Sequence, residues 1–496
     1  MSIAKAEREV KSAVAAVLIL AEIQTDSVPQ LVDVEARLWA SLLALGRALM
    51  ALFLARCAAR PRSSSYVYNG QRFALDRSTL RSSEIGTRFG KLRFARPVGK
   101  PLAGSSRAAD LPVDRDLGLC SGFSLGTVTA ITRLCAMMAF AAANSVFRQF
   151  HEWAPSPRAL LRMVDAAGSQ ARPLLEQAAA PADDGEILVI EADGGGAPMI
   201  SSSEYQRRCQ PKHKRAAAER HHRRRLRKEH SKPRRTKGQK SKNSKLAVVA
   251  AVYTLKRTSA GLEGPINKRL IATFASHAEL FRWLVDEANK RGYGKKRTVF
   301  LADGSDHIWT LQQKYFPDAE VGLDWIHVTE KLWSAGQCVF KEGSAQLSAW
   351  IASQQGLLRR GRVDPMLQNL MGAFMSIPKT GPGNKGRRER LGGVIEYLMG
   401  HRERLRYHQL RRDALPIATG VIEGAIRNLV RMRLDGPGMR WSRDRAESVL
   451  HLRCILLNDQ WDDFARFLAN CSLRLAAQPT PTRTHDAKPQ TLKVAA

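Results

Sequence analysis

Asp193, Asp303 and Glu423 each stand at the edge of an apolar stretch: Val189-Ile-Glu-Ala-Asp193-Gly, Val299-Phe-Leu-Ala-Asp303-Gly and Val421-Ile-Glu423-Gly-Ala-Ile-Arg427. The first two read as carboxylates at strand ends ahead of glycine, the third as a carboxylate in the first turn of a helix. Carboxylate oxygens hold hard divalent cations while leaving room for water and phosphate oxygens. Three acids gathered from distant sequence are therefore what two-metal phosphoryl transfer requires. Each acid also has a plainer explanation. Asp-Gly after a strand is ordinary turn chemistry, and Glu423 suits a helix N-terminus or a pair with Arg427 one turn on. Two Asp-Gly ends in matching positions, and a helix that buries Ile422, Ile426 and Leu429 beside Glu423, favour a shared site. Asp324-Trp-Ile-His327 supplies a rival ligand in Asp324, which also ends an apolar run; helix capping or structural hydrogen bonding explains this Asp and His three apart at least as well.

The elements that must position these acids follow from periodicity. Continuous apolar runs at Ile187 to Ile190, Leu246 to Thr254 and Arg269 to Phe274 read as strands, followed by a helix from His277 to Arg291. A strand at Val299 to Leu301, a helix from Ile308 to Phe316 and a strand at Val321 to Leu323 complete the series. That order matches a ribonuclease-H-like α/β core, a mixed sheet flanked by helices, in which the first and fourth strands are neighbours and bring Asp193 beside Asp303. The expected organisation is a helical region at 1–60, a loop and β-hairpin segment at 61–120, and helices at 121–180. The core follows at 185–328, an all-α insertion at 329–415, C-terminal core helices at 416–466 and a flexible tail at 467–496. A Gly90-Lys91 pair between alternating residues suggests a short hairpin. Phe140 to Trp153, then Pro155-Ser156-Pro157 and a second helix with Ser156 as N-cap, form a candidate helix-turn-helix reader over 140–168, although two packed helices fit as well.

Composition names the class of partner. The 496 residues carry a formal net charge of +33, with 79 Lys plus Arg against 46 Asp plus Glu, and a polyanion is the expected ligand. From Arg207 to Lys245, 18 Lys or Arg stand against two acids, Glu219 and Glu229. This basic arm, with Arg223, Arg224, Arg225, Arg227 and Lys228 at its centre, lies between two core strands, and suits phosphate contacts that give affinity without choosing a sequence. A second basic group, Arg427, Arg431, Arg433 and Arg440, adjoins Trp441, which either stacks on a base or packs in the core. Seven cysteines form no CxxC or CxxH cluster, so a reducing cytosol fits, and a cysteine zinc site does not. The apolar runs at Ala13 to Ala21 and Leu42 to Ala55, the latter interrupted by Arg47, read as too short to span a membrane, and no export signal is evident.

A resemblance now becomes specific. Glu191-Ala-Asp-Gly-Gly-Gly-Ala-Pro198, Leu301-Ala-Asp-Gly-Ser305, Gly420-Val-Ile-Glu-Gly-Ala425, Gly438-Met-Arg-Trp-Ser442 and the run from Ala446 to Arg453 resemble insertion-sequence DDE transposases of the ISKra type, related to Mutator-like and ISL-type enzymes. The likeness covers roughly residues 84–466, including Phe89-Gly-Lys-Leu, Lys245-Leu-Ala-Val-Val249 and Gln460-Trp-Asp-Asp-Phe464. It implies DNA transposition: hydrolysis at transposon ends and 3′-hydroxyl strand transfer into target DNA, with two Mg²⁺ ions, or Mn²⁺ in their place, held by Asp193, Asp303 and Glu423. Asp324 and His327 match an acid-x-x-His motif of related transposases. Double-stranded DNA, a homodimer or larger assembly on that DNA, and a cytoplasmic, nucleoid-associated location follow as expectations. A nuclease or junction resolvase that does not join ends, and a non-catalytic nucleic-acid binder derived from a transposase, are the alternatives. The chain departs from many relatives in carrying Gly195 where they have threonine, and in lacking cysteines between Gly86 and Leu119.

Overall fold

The apolar periodicity near the N-terminus produces two helices, α1 (Ile3–Ile19) and α2 (Leu31–Ala59), in the computed structural model, which describes residues 3–20, 30–102, 109–209 and 244–471. Arg47 does not interrupt α2, because its guanidinium leaves the helix surface to donate to the Phe89 carbonyl at 3.1 Å. The uninterrupted helix has 29 residues and a mean hydropathy of 1.9 over its most apolar window. By length and composition it is the one helix among the described residues that could cross a membrane, a criterion that core helices of soluble proteins also meet. Leu43, Ala48, Ala51 and Leu54 are buried along it. Three antiparallel strands follow, β1 (Ser65–Tyr68), β2 (Gln71–Thr87) and β3 (Gly90–Pro101), in the order β1-β2-β3. They form a far larger ribbon than the short hairpin expected, and its turn is Arg88-Phe89, just ahead of Gly90-Lys91, with Thr87 paired to Gly90. Gly90, directly after the turn, has a φ of 127°, a backbone conformation that glycine adopts and most side chains do not.

The chain divides into two compact units, one of Met1–Val128, His151–Ala166 and Cys471–Ala496, the other of Thr129–Phe150 and Ala167–Asn470. Helix α3 (Pro112–Asp116) belongs to the first; α4 (Leu125–Met137), α5 (Phe140–His151) and α6 (Pro157–Gln177) run through the boundaries. Ser156 caps α6 as expected, its Oγ accepting the Ala159 N–H at 3.3 Å, with Pro157 at the first helical position. Residues 140–168 fall partly in each unit, with boundaries after Phe150 and after Ala166.

The second unit is built on a mixed five-stranded sheet. Its strands are β4 (Ile187–Pro198), β5 (Ser244–Thr258), β6 (Gly261–Thr273), β7 (Arg297–Ala302) and β8 (Glu320–Leu323), in the order β6-β5-β4-β7-β8. The first three run antiparallel, while β4 pairs parallel with β7, and β7 with β8. The first and fourth strands are thus neighbours, with Glu191 opposite Leu301 and Ala192 opposite Ala302. Alternate residues of one face, Ile187, Val189, Tyr253, Leu255, Val299 and Leu301, form a buried cluster with Leu410 and Leu415. Short α7 (Ser202–Cys209) follows β4, and α8 (His277–Lys290) and α9 (Asp306–Tyr315) connect the later strands.

After β8 the chain is helical, as the sequence suggests. The helices are α10 (Trp325–Gly336), α11 (Ala345–Arg359), α12 (Val363–Ser376), α13 (Asn384–Gly400) and α14 (Tyr407–Arg412), with the Gly/Pro-rich stretch ending at Asn384 breaking the run. Then come α15 (Gly420–Ile426), a π-helical turn at Arg427–Arg431, α16 (Arg443–Leu457) and α17 (Trp461–Asn470). Residues 467–470, expected in the tail, close α17 because Phe464 and Leu468 are buried.

Candidate metal centre

Sheet parity and register bring the first two acids together. Asp193 lies on the same face of β4 as Val189 and Glu191, and Asp303 immediately follows β7, one residue past the Ala192–Ala302 pair. Asp193 is not at a strand end, as its Asp-Gly sequence suggests, but inside β4. The Gly194-Gly195-Gly196 segment continues to pair with Val248, Ala247 and Leu246 of β5 after the parallel pairing with β7 has stopped. Burial pushes the Asp193 carboxyl up to about 6, and the adjacent Asp303 adds to the rise by charge repulsion and a direct side-chain hydrogen bond. Asp303 in turn accepts the Ser305 N–H at 3.0 Å, which fixes the loop leaving β7.

Asp324 follows β8, whose Leu323 pairs with Ala302, so it stands at the same end of the sheet. It is buried and fully engaged. One oxygen accepts the His327 N–H at 2.8 Å and faces His327 Nδ1 at 2.7 Å, capping α10; the other accepts the Thr419 N–H at 2.7 Å, just ahead of α15. Burial opposes ionisation of Asp324, but these hydrogen bonds together hold its carboxyl below the ordinary range. His327 is pushed up to about 9, chiefly by its hydrogen bond to Asp324, with Asp193 and Asp303 contributing by charge. Its Nε2 is left as the second donor of an imidazolium at neutral pH.

Glu423 enters from α15, whose start is held over the sheet. Gly195 permits this approach: a Cβ at that position would lie 2.9 Å from Ile426 Cγ2 and 3.3 Å from Val430. A larger side chain at position 195 would displace the helix. Glu423 groups with Asp324 and His327, each offering a ligand atom within 4.8 Å of the others, and among the described residues this is the set of three that converges so closely. Asp324 and Glu423 offer carboxylate oxygens to a metal ion, and His327 joins them as a ligand only when its ring gives up a proton. Burial raises the Glu423 carboxyl, and Asp324 reinforces the rise; His327 and Arg431 offset part of it. The arrangement therefore has two parts, an Asp193–Asp303 pair and an Asp324–His327–Glu423 group, linked by the charge of His327.

One acid at this site escapes a reading by motif. Glu191, fully buried, receives the Tyr253 hydroxyl at 2.7 Å and the Ile422 N–H at 2.7 Å. Burial pushes its carboxyl up to about 7. The signal for it was present, an acid inside a continuous apolar run at the same parity as Asp193.

The expected DNA-contacting residues divide. Arg427, Arg431 and Arg440 are exposed. Trp441 is buried: its Nε1 donates to the Leu434 carbonyl at 2.8 Å, and its ring meets Phe140 edge-on at 5.6 Å between centroids. The Arg433 guanidinium, also buried, lies over both rings at 4.9 and 5.0 Å and donates to the Cys135 carbonyl. Core packing and cation–π contact, rather than base stacking, are what these surroundings supply to Trp441. Arg223, Arg224, Arg225, Arg227 and Lys228 lie outside the described residues. Comparison with protein-family models finds no match, and comparison with curated proteins finds none either.

Proposed function

We propose that this chain is a DNA transposase, acting through a ribonuclease-H-like core on transposon ends and target DNA. The observation that carries the reading is that Asp193 in β4 stands beside Asp303, one residue past the end of the neighbouring parallel β7, with the helix of Glu423 packed on the same strand. A sheet order of three antiparallel strands followed by two parallel ones, in the sequence β6-β5-β4-β7-β8, accords with that fold. The net charge of +33 suits a DNA substrate.

The donor set fits the divalent cations such chemistry uses. Asp193, Asp303 and Glu423 offer carboxylate oxygens suited to Mg²⁺ or Mn²⁺, and mutual repulsion between Asp193 and Asp303 is what a bound cation relieves. When bound, such ions supply electrostatic stabilisation to the charge that develops on a phosphodiester undergoing in-line displacement. The protein's own part is positional. Asp324 fixes the imidazole of His327 through Nδ1 and so aims its Nε2–H, a charged donor suited to a phosphate oxygen. Exposed Arg427, Arg431 and Arg440 are placed for phosphate contacts along the DNA backbone.

The test is incubation with DNA carrying the sequences that flank the chain's own gene, plus Mg²⁺ or Mn²⁺, scored for nicked and joined products. Nicking followed by joining supports transposition. Nicking without joining replaces it with a nuclease or resolvase on the same site. DNA binding with neither product replaces it with a non-catalytic binder.

A further inference from the structure

Glu191 stands two residues before Asp193 on the same face of β4, yet it points neither to solvent nor to a cationic side chain. Its two oxygens are divided between an element of the sheet and an element above it: one takes the Tyr253 hydroxyl of β5, the other the backbone N–H of Ile422, each at 2.7 Å. Ile422 is in the first turn of α15, where helix geometry leaves N–H groups without an internal acceptor. It is also the residue directly before Glu423. On the other side of the same helix start, Asp324 takes the Thr419 N–H. Two buried carboxylates thus hold the N–H groups of Thr419 and Ile422, either end of the four residues ahead of Glu423, and Gly195 lets the helix close down on the strand.

A merely structural core position at 191 would be met by an apolar side chain like Ile187 and Val189 on the same face. A buried acid is costly unless its oxygens are satisfied, and here each is used to fix one element to another. We infer that Glu191 is a positioning residue: it docks the first turn of α15 onto β4 and thereby sets the distance between Glu423 and the Asp193–Asp303 pair. This rests on the proposed function for the purpose the positioning serves, while the docking itself does not.

Two readouts separate the role from general stability. Amide hydrogen exchange in wild type, Glu191→Leu and Glu191→Gln follows the peptide containing residues 419–427 against peptides from β4 and β5. Mn²⁺ titration followed by electron paramagnetic resonance, without DNA, gives the affinity of the same proteins. Glu191→Leu should speed exchange in residues 419–427 by tenfold or more with β4 and β5 unchanged, and weaken Mn²⁺ binding at least tenfold. Glu191→Gln, whose amide oxygen still accepts the Ile422 N–H, should restore both. If the leucine variant fails to fold, Glu191→Asp, one methylene too short to reach both partners, should move both readouts in the same direction. Unchanged exchange at 419–427 in a folded variant overturns the docking. Faster exchange with wild-type Mn²⁺ affinity overturns the positioning role and leaves the proposed function standing. A wild-type chain that binds no Mn²⁺ overturns the proposed function, and the positioning role with it.

Discussion

Asp303 and His327 can be tested separately, one by its charge and the other by pH. Replacing Asp303 by Asn keeps shape and removes one of the two repelling carboxylates, so DNA binding should persist while cleavage falls by about a thousandfold or more, roughly 4 kcal/mol of barrier. Cleavage and gel-shift assays on the one variant check both halves. His327 is raised from 6.5 to about 9 by Asp324. Its pairing therefore stabilises the fold fully below about pH 6.5, and that contribution is lost as pH rises through about 9. The thermal midpoint of metal-free wild type should exceed that of His327→Gln below pH 6.5, with the gap closing by about pH 9; a gap that widens with pH contradicts the assignment. Asp193 and Glu191, raised to about 6 and about 7, act in the same sense at lower pH. The folded chain retains protons that the unfolded chain has released, and stability falls as pH climbs from about 4 to 7. Asp193 and Asp303 were legible in the sequence because each sits at a sheet position marked by an apolar run and a following glycine. Glu191 carried only a weaker signal, an acid in an apolar run at the parity of Asp193, with no glycine after it to mark a site.

Among the elements, the strands read at Ile187, Val299 and Val321 from apolar runs are present, the last two starting one or two residues earlier, at Arg297 and Glu320, whereas the end of β4 was not legible. Three successive glycines look like a loop, and only pairing with β5 across the sheet keeps them extended. The same glycines carry a consequence for α15. Gly195→Thr should force Ile426 and Val430 away, at about 1–3 kcal/mol of overpacking, and should weaken Mn²⁺ binding through Glu423. Denaturant unfolding and metal titration of that variant measure the two effects, and wild-type values in both would show that the close approach is not needed. The π-helical turn at Arg427–Arg431 was hidden from periodicity, since a single inserted residue shifts the apolar face without breaking the helix. Trp441 illustrates the converse: its neighbours in sequence are basic, but its neighbours in space are Phe140, Met199 and Leu434. Trp441→Ala should cost about 3–5 kcal/mol of stability. Trp441→Phe should leave base exposure at the cut site, read by chemical probing of bound DNA, as in wild type. Reduced exposure would restore a stacking role.

At the scale of the whole molecule, charge and topology have separate consequences. The excess of Lys and Arg is concentrated in the arm at 207–245, so affinity for DNA should be steeply salt-dependent while the acidic site governs chemistry alone. Replacing Arg223, Arg224, Arg225, Arg227 and Lys228 by Ala should lower the slope of log affinity against log salt by about 0.9 for each phosphate no longer neutralised, with Mn²⁺ binding unaltered. An unchanged slope would show that the arm does not meet DNA. The α/β class was legible because the order of strands and helices restricts how such a sheet can be threaded. The division into two units was not, because α4 and α6 run through its boundaries without a break in helical pattern. The central claim is that acids far apart in sequence act together on bound cations, the Asp193–Asp303 pair from one side and Glu423 from the other, and Mn²⁺ titration of wild type, Asp193→Asn and Glu423→Gln tests it most directly. Saturable binding by the wild type that is weakened at least tenfold in both variants is the predicted result; equal binding by all three folded proteins would contradict it.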